Sequence, residues 1–328
     1  MLIHKLNFAR RCAPLRSCWL ALVAALLLAA TAPAAAQEDK GELTLALYAP
    51  TAPLPSADAR FAFVDKLARY LQGAGVNVRP KVFARSADLE AAIKRGQVDL
   101  AILDAFYAAD KASQYPVLAV ATAAGELYQK WGLYTHLPSG SILDMSGKRL
   151  AWVSPSGGKE AVYINNVLLY GELKVAQFFQ MGSPTPDIGA AVSDVVLRRA
   201  DCVFASEQAV QGKSLRRVYD AGEAGRIPNP ALVQLQGKLP AEVVANIKRS
   251  IAGFATTGVL DGWRSSGGIS EPYRQLRLRI RGRPDRNLVF AEPQRMNTQI
   301  NAAMVVIPEA APIMPPLRAL LLPPTDLP

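Results

Sequence analysis

Ser154-Pro155-Ser156-Gly157-Gly158-Lys159 brings hydroxyls, glycines and a lysine together in one short stretch. Glycine allows close backbone approach, and free N–H groups at the start of a helix attract negative charge. With Lys159 adding a cation, the stretch has the make-up of an oxyanion cradle; a plain strand-to-helix turn is the alternative. Three more segments carry side chains fit to line such a site. Tyr48 and Thr51 offer an aromatic wall and a hydroxyl. Asp104 would meet a ligand amine or cap the helix that follows it, and Tyr107 would touch ligand or pack in the core. Ser206 and Glu207 would meet a ligand amine or serve as a helix cap. Gly182-Ser183 is a weaker fifth candidate.

Bond-making chemistry has little support. Ser156 and Lys159 share the Ser-x-x-Lys spacing of penicillin-recognising acyl-enzymes, which keeps a Ser/Lys acyl-enzyme as a distant alternative. The companion Ser-Asp-Asn and Lys-Thr-Gly motifs are missing, since Ser193-Asp194 is followed by Val195. Gly158-Lys159 precedes Glu160, where a phosphate loop needs Ser or Thr. Beyond residue 36, His136 is the only histidine, which leaves no pair for a metal and no Ser–His dyad. No catalytic residue, metal or cofactor is expected. Without a dense Lys/Arg run interleaved with aromatics, nucleic acid is not an expected partner.

The elements that must position these loops alternate between strand and helix patterns, the signature of an α/β fold. Leu43 to Tyr48 reads as a strand, and Ser56 or Asp58 can cap a helix with Val64, Leu67, Ala68 and Leu71 at helical spacing. Val76 to Phe83 is a second strand, Ser86-Ala87-Asp88 opens a second helix, and Val98 to Leu103 is a strand apolar enough to be covered on both faces. Residues 117–122, 130–135, 148–153, 176–180 and 203–205 read as further strands, with helices over 160–169 and 187–199. Val218 begins a return stretch leading to a strand over 231–235 and an amphipathic helix over 240–255. Leu276-Arg277-Leu278-Arg279-Ile280-Arg281 alternates strictly, as a half-exposed strand would. The Pro-rich end from Pro308 lacks periodicity.

The first residues read as an export signal: basic Lys5, Arg10, Arg11 and Arg16, an apolar run from Trp19 to Ala30, and small Ala34-Ala35-Ala36 before Gln37. Its removal would lower the formal net charge from +10 to +6. A mild positive excess suits a small anionic solute, and it suits plain solubility too. Cys12 and Cys18 would leave with the signal, so Cys202 stands alone in an apolar run and is expected to be buried.

Four segments, in order, carry a resemblance: Gly96-Gln97-Val98-Asp99-Leu100-Ala101; Met145 to Val153 with Ser154-Pro155-Ser156-Gly157; Arg199-Ala200-Asp201-Cys202-Val203; and Ile227-Pro228-Asn229-Pro230. Together they resemble the phosphonate/phosphite/phosphate class of periplasmic substrate-binding proteins of ABC transporters, over roughly residues 41–260. The resemblance implies the type II periplasmic binding protein fold: two mixed, mostly parallel sheets flanked by helices, joined by a hinge crossed twice. With residues 1–36 read as signal peptide and 266–328 as a partly extended, Pro-rich C-terminal extension, it implies 37–124 with 216–265 as lobe 1 and 125–215 as lobe 2. The crossings would fall near Ala123 and Gln211, and the candidate loops, lying beyond the carboxyl ends of strands, would face one cleft. It further implies a periplasmic, monomeric, non-enzymatic protein that closes on a small anionic ligand and delivers it to an ABC permease. A ligand-sensing role toward a periplasmic receptor or sensor kinase is the alternative. In that class the loop at 154–159 is richer in Ser and Thr and binds the phosphorus oxyanion, a small residue stands where this chain has Asp104, and a ligand-contacting tyrosine matches Tyr107.

Overall fold

The computed structural model describes residues 41–157, 161–235 and 239–282. The expected signal peptide, Gly158, Lys159 and the Pro-rich end lie outside the described residues. The body described below begins at Leu43.

The body is built on two sheets. In the first, β1 (Leu43–Tyr48), β2 (Val78–Val82) and β3 (Leu100–Leu103) run parallel, with β1 in the middle. Helices α1 (Ala57–Gly73) and α2 (Ser86–Lys94) make the crossovers between them. Ser56 caps α1 by accepting from Ala59 N at 3.1 Å, as its position before the apolar periodicity requires. β3 is buried along its whole length, since strands cover both its edges and side chains both its faces. After α3 (Ala105–Asp110) comes β4 (Val117–Thr122). Two strands from far along the chain, β11 (Ala231–Gln234) and β12 (Gly262–Arg264), then complete the order β12-β4-β11-β3-β1-β2. Between them, α7 (Ala241–Ile251) lays Ile247 and Ile251 on the sheet.

The second sheet centres on β5 (Tyr128–Thr135), antiparallel to β8 (Cys202–Ser206). β6 (Arg149–Ala151) and β7 (Gln180–Met181) continue it in parallel. Its helices are α4 (Val175–Phe178), α5 (Ile188–Val196), α6 (Glu207–Val210) and a π-helical turn, Ile164–Leu168.

Three expectations need correction. The return to the first sheet comes later than residue 216. β9 (Arg216–Asp220) and β10 (Arg226–Pro228) both hydrogen-bond to β5 in the second sheet, so the second crossing lies at Asn229-Pro230 rather than near Gln211. There Asn229 N donates to Leu127 O and Asn229 Nδ2 to Glu126 O, both at 2.9 Å, fastening the second crossing to the first. The expected strand at 176–180 is mostly α4, and only its last residue enters β7. The alternating 276–281 stretch is helical within α8 (Glu271–Ile280). Tyr273 and Leu276, one turn apart, are fully buried, and α8 packs on α3 and on the π-helical turn. Alternating Leu and Arg satisfies period 2 over six residues, but burial through Tyr273 selects the helix.

Candidate functional site

The loops after β1, β3 and β6 meet where the two lobes touch. Tyr48 ends β1 buried, and its hydroxyl donates to Pro155 O at 2.8 Å. The Tyr48 and Tyr107 rings pack edge to face, with centroids 5.4 Å apart. Burial, and next the negative charge of Asp104, push the Tyr48 phenol above its ordinary pKa, so it stays protonated as a donor.

Asp104 is completely buried and caps α3, accepting from Phe106 N at 3.0 Å. Its other oxygen accepts from Thr51 N at 2.8 Å and Thr51 Oγ1 at 2.5 Å, tying the β1–α1 loop to the start of α3. Burial raises its carboxyl to about 6, against the lowering effect of these hydrogen bonds. Of the two roles open to Asp104, the structure shows the cap. Tyr107 is likewise a core residue, its hydroxyl donating to Glu90 at 3.3 Å.

From the second lobe, Ser154 is half-buried, while Ser156 and Gly157 are exposed. Gly157 has φ +76°, and a β-carbon there would collide with Ser86 Oγ. Ser86 is the residue the sequence reading missed. It was legible only as a helix start, yet it is buried at the first position of α2 with its hydroxyl against Gly157 of the other lobe. The residue before it, Arg85, supplies no side-chain cap, so Ser86 brings the positive end of the α2 dipole to the lobe boundary.

Two further contacts cross the boundary nearby. Arg60 Nη2 on α1 lies 2.9 Å from Asp187 Oδ2, although without the alignment of a hydrogen bond, and Asp187 also caps α5 through Ala190 N at 2.8 Å. Ile188 N donates to Pro50 O at 2.8 Å. Gly189 has to be glycine-sized here, because a β-carbon would come within 2.8 Å of Pro55 O.

Ser206 and Glu207 do not join this group. Ser206 is buried and caps α6 through Ala209 N at 3.4 Å, and the Glu207 carboxylate is held by Arg217 at 2.7 Å. Gly182 serves its own lobe by accepting from Trp152 Nε1 at 2.8 Å. Among the described residues, no group of three or more His, Cys, Asp or Glu could hold a metal ion. The assembled set is therefore hydroxyls, N–H groups and a helix start, the chemistry of oxyanion recognition.

A family model described as the periplasmic substrate-binding protein of ABC phosphonate transporters matches residues 51–272. No curated protein sequence matches this chain. Among solved structures, the chain is similar to a binding-protein component of an ABC phosphonate transporter from Pseudomonas aeruginosa, with TM-score 0.57 and 14% identity over 73% of this chain and 86% of that one. It is also similar to PhnD1 from Prochlorococcus marinus in complex with methylphosphonate, with TM-score 0.57 and 10% identity over 72% of this chain and 96% of that one. A third is XAC2383 from Xanthomonas citri bound to ATP, with TM-score 0.52 and 13% identity over 74% of this chain and 97% of that one. At these identities the structural likeness establishes the shared fold, and the four sequence segments quoted above fall within the residues that the family model matches.

Proposed function

This chain belongs to the periplasmic substrate-binding proteins of ABC phosphonate transporters, and on that premise we propose that it captures a small phosphorus oxyanion between its lobes and presents the closed form to a membrane permease. The observation that carries the reading is the meeting of Ser86 and Tyr48 from one lobe with the Pro155–Gly157 loop of the other. Ser86 supplies a hydroxyl and a helix-start N–H, Tyr48 a neutral phenol, and Ser154 and Ser156 further hydroxyls. Gly157 lets the loop backbone come close. Gly158 and Lys159 follow in sequence, outside the described residues, and would add N–H groups and a cation. Thr51 and Asp104 hold the walls in place rather than touching ligand. Methylphosphonate in PhnD1 and ATP in XAC2383 both present phosphorus oxygens, which supports this ligand class.

The working mechanism is lobe closure about the paired crossings at 123–127 and 229–230, with no bond made or broken. A ligand touching both lobes binds the closed form better and so raises its population. Residues 1–36 act as a cleavable export signal in this reading, and the mature chain works in the periplasm as a monomer. Among the described residues no helix is long and apolar enough to cross a membrane.

Calorimetric titration with methylphosphonate, phosphite, phosphate and sulfate tests the assignment. At least one phosphorus oxyanion should bind, and Ser86→Ala and Ser156→Ala should each weaken it by about tenfold, the loss of one hydrogen bond to a charged group. Binding of neutral or cationic solutes alone, or full affinity in both variants, would overturn the reading.

A further inference from the structure

A cavity of about 410 Å³ lies away from the lobe-boundary loops, between β10, the short 3₁₀ turn Gly222–Gly225 and α8. Tyr128, Tyr170, Arg226, Gln275 and Arg279 line it, together with the carbon surfaces of Ala224 and Pro272. That volume suits a small organic molecule. It adjoins the hinge, because Tyr128 follows the first crossing, Arg226 precedes the second, and the Tyr273 hydroxyl of α8 donates to Asn229 O. The family match ends at residue 272, so nearly all of α8, including Gln275 and Arg279, lies beyond it.

The charges around the cavity are not evenly compensated. The Arg226 guanidinium lies 4.9 Å from the centre of the Tyr128 ring and 3.4 Å from Glu223. Glu271 is occupied by Arg274 at 2.6 Å and by Gln275. Arg279 is half-buried and donates to Ala224 O at 3.1 Å, but among the described residues no carboxylate lies within ion-pair distance of it. A guanidinium partly withdrawn from water, with no carboxylate within ion-pair distance, favours an incoming oxyanion, which it can grip through parallel N–H bonds. Tyr170 reinforces the wall from a left-handed backbone at φ +53°, held by its hydroxyl donating to Ala221 O and accepting from Ala224 N, both at 3.1 Å. A non-glycine residue kept in that region is strained locally, and such strain persists where the surrounding structure insists on it.

We infer that this cavity is a second ligand site, taking a small monoanionic carboxylate with an aromatic body, anchored by Arg279 and flanked by Tyr128 and Tyr170. The two glutamates at its edge, Glu223 and Glu271, oppose a dianion, which separates this site from one selecting phosphate. The inference stands independently of the oxyanion reading of the lobe boundary.

Calorimetric titration of the purified protein with benzoate, 4-hydroxybenzoate and indole-3-acetate is the test. The comparison set is wild type, Arg279→Gln, Arg226→Gln and the lobe-boundary variant Gly157→Ala, each verified as folded by circular dichroism. At least one aromatic carboxylate should bind wild type and Gly157→Ala alike, weakened on the order of tenfold or more in Arg279→Gln by loss of a charged hydrogen bond. Should Arg279→Gln fail to fold, Arg226→Gln should weaken the same probe. Binding that disappears in Gly157→Ala but survives in the arginine variants would place the probe at the lobe boundary and overturn the inference. So would the failure of all three probes to bind wild type, or full affinity for the bound probe in both Arg279→Gln and Arg226→Gln.

Discussion

The hydroxyl of Tyr48 donates to the carbonyl of Pro155 at 2.8 Å, joining the end of β1 in the first sheet to the loop after β6 in the second. Arg60 and Asp187 add charge to the same boundary at 2.9 Å, with both side chains largely buried. Removing one partner of a buried ion pair strands the other, at a cost on the order of 3 kcal/mol. Here that cost falls on the closed arrangement alone. Arg60→Ala is therefore expected to open the lobes, raising the radius of gyration measured by small-angle X-ray scattering, and Tyr48→Phe to do so more weakly. Unchanged scattering in the double variant would mean these contacts do not set closure.

Gly157→Ala tests the closest approach between the lobes. An alanine at φ +76° carries roughly 1–2 kcal/mol of backbone strain, and its β-carbon would also displace Ser86. Affinity for methylphosphonate should fall by tenfold or more while the melting temperature drops only a few degrees. A variant of wild-type affinity would show that the loop and Ser86 need not meet.

Asp104 predicts a pH dependence of stability. Its folded value of about 6 lies above the unfolded 3.8, so the folded protein holds this proton more tightly. The stabilisation is complete below about pH 4 and is lost as the pH rises through about 6, amounting to about 3 kcal/mol. Urea unfolding of wild type and Asp104→Asn across this window should show the wild type losing stability relative to the variant as pH rises. A constant difference between them would contradict the raised value.

Cys202 is buried in β8, and burial pushes its thiol up to about 12. Thiolate is the reactive form, so an aromatic disulfide reagent should leave the native protein unmodified at neutral pH and label it fully in denaturant. Rapid labelling of the folded chain would show that β8 opens readily.

Much of the architecture is written in local pattern. The apolar run of Leu100 to Leu103 is a strand buried on both faces, and Ser56, Asp104, Asp187 and Ser206 each precede a helix that they do cap. The candidate loop at 154–157 stands out in sequence by its residue types, and the structure sets it against Tyr48 and Ser86. Its partner Ser86 was not, because a serine opening a helix looks the same whether it faces solvent or a second lobe. Ser206 and Glu207 illustrate the converse, having suitable chemistry but local partners that use it.

By itself the sequence determined the buried strands β1, β3 and β8, which residues could cap, and which side chains could bind an anion, since each depends on neighbours a few residues away. Tertiary structure alone decided that residues 271–280 are a helix, that β9 and β10 stay with β5, and that Ser86 faces Gly157. These outcomes rest on contacts between residues far apart in the chain. Local preference there is weak or evenly divided, and the burial of Tyr273, the pairing along β5 and the fit of a glycine against a serine settle it.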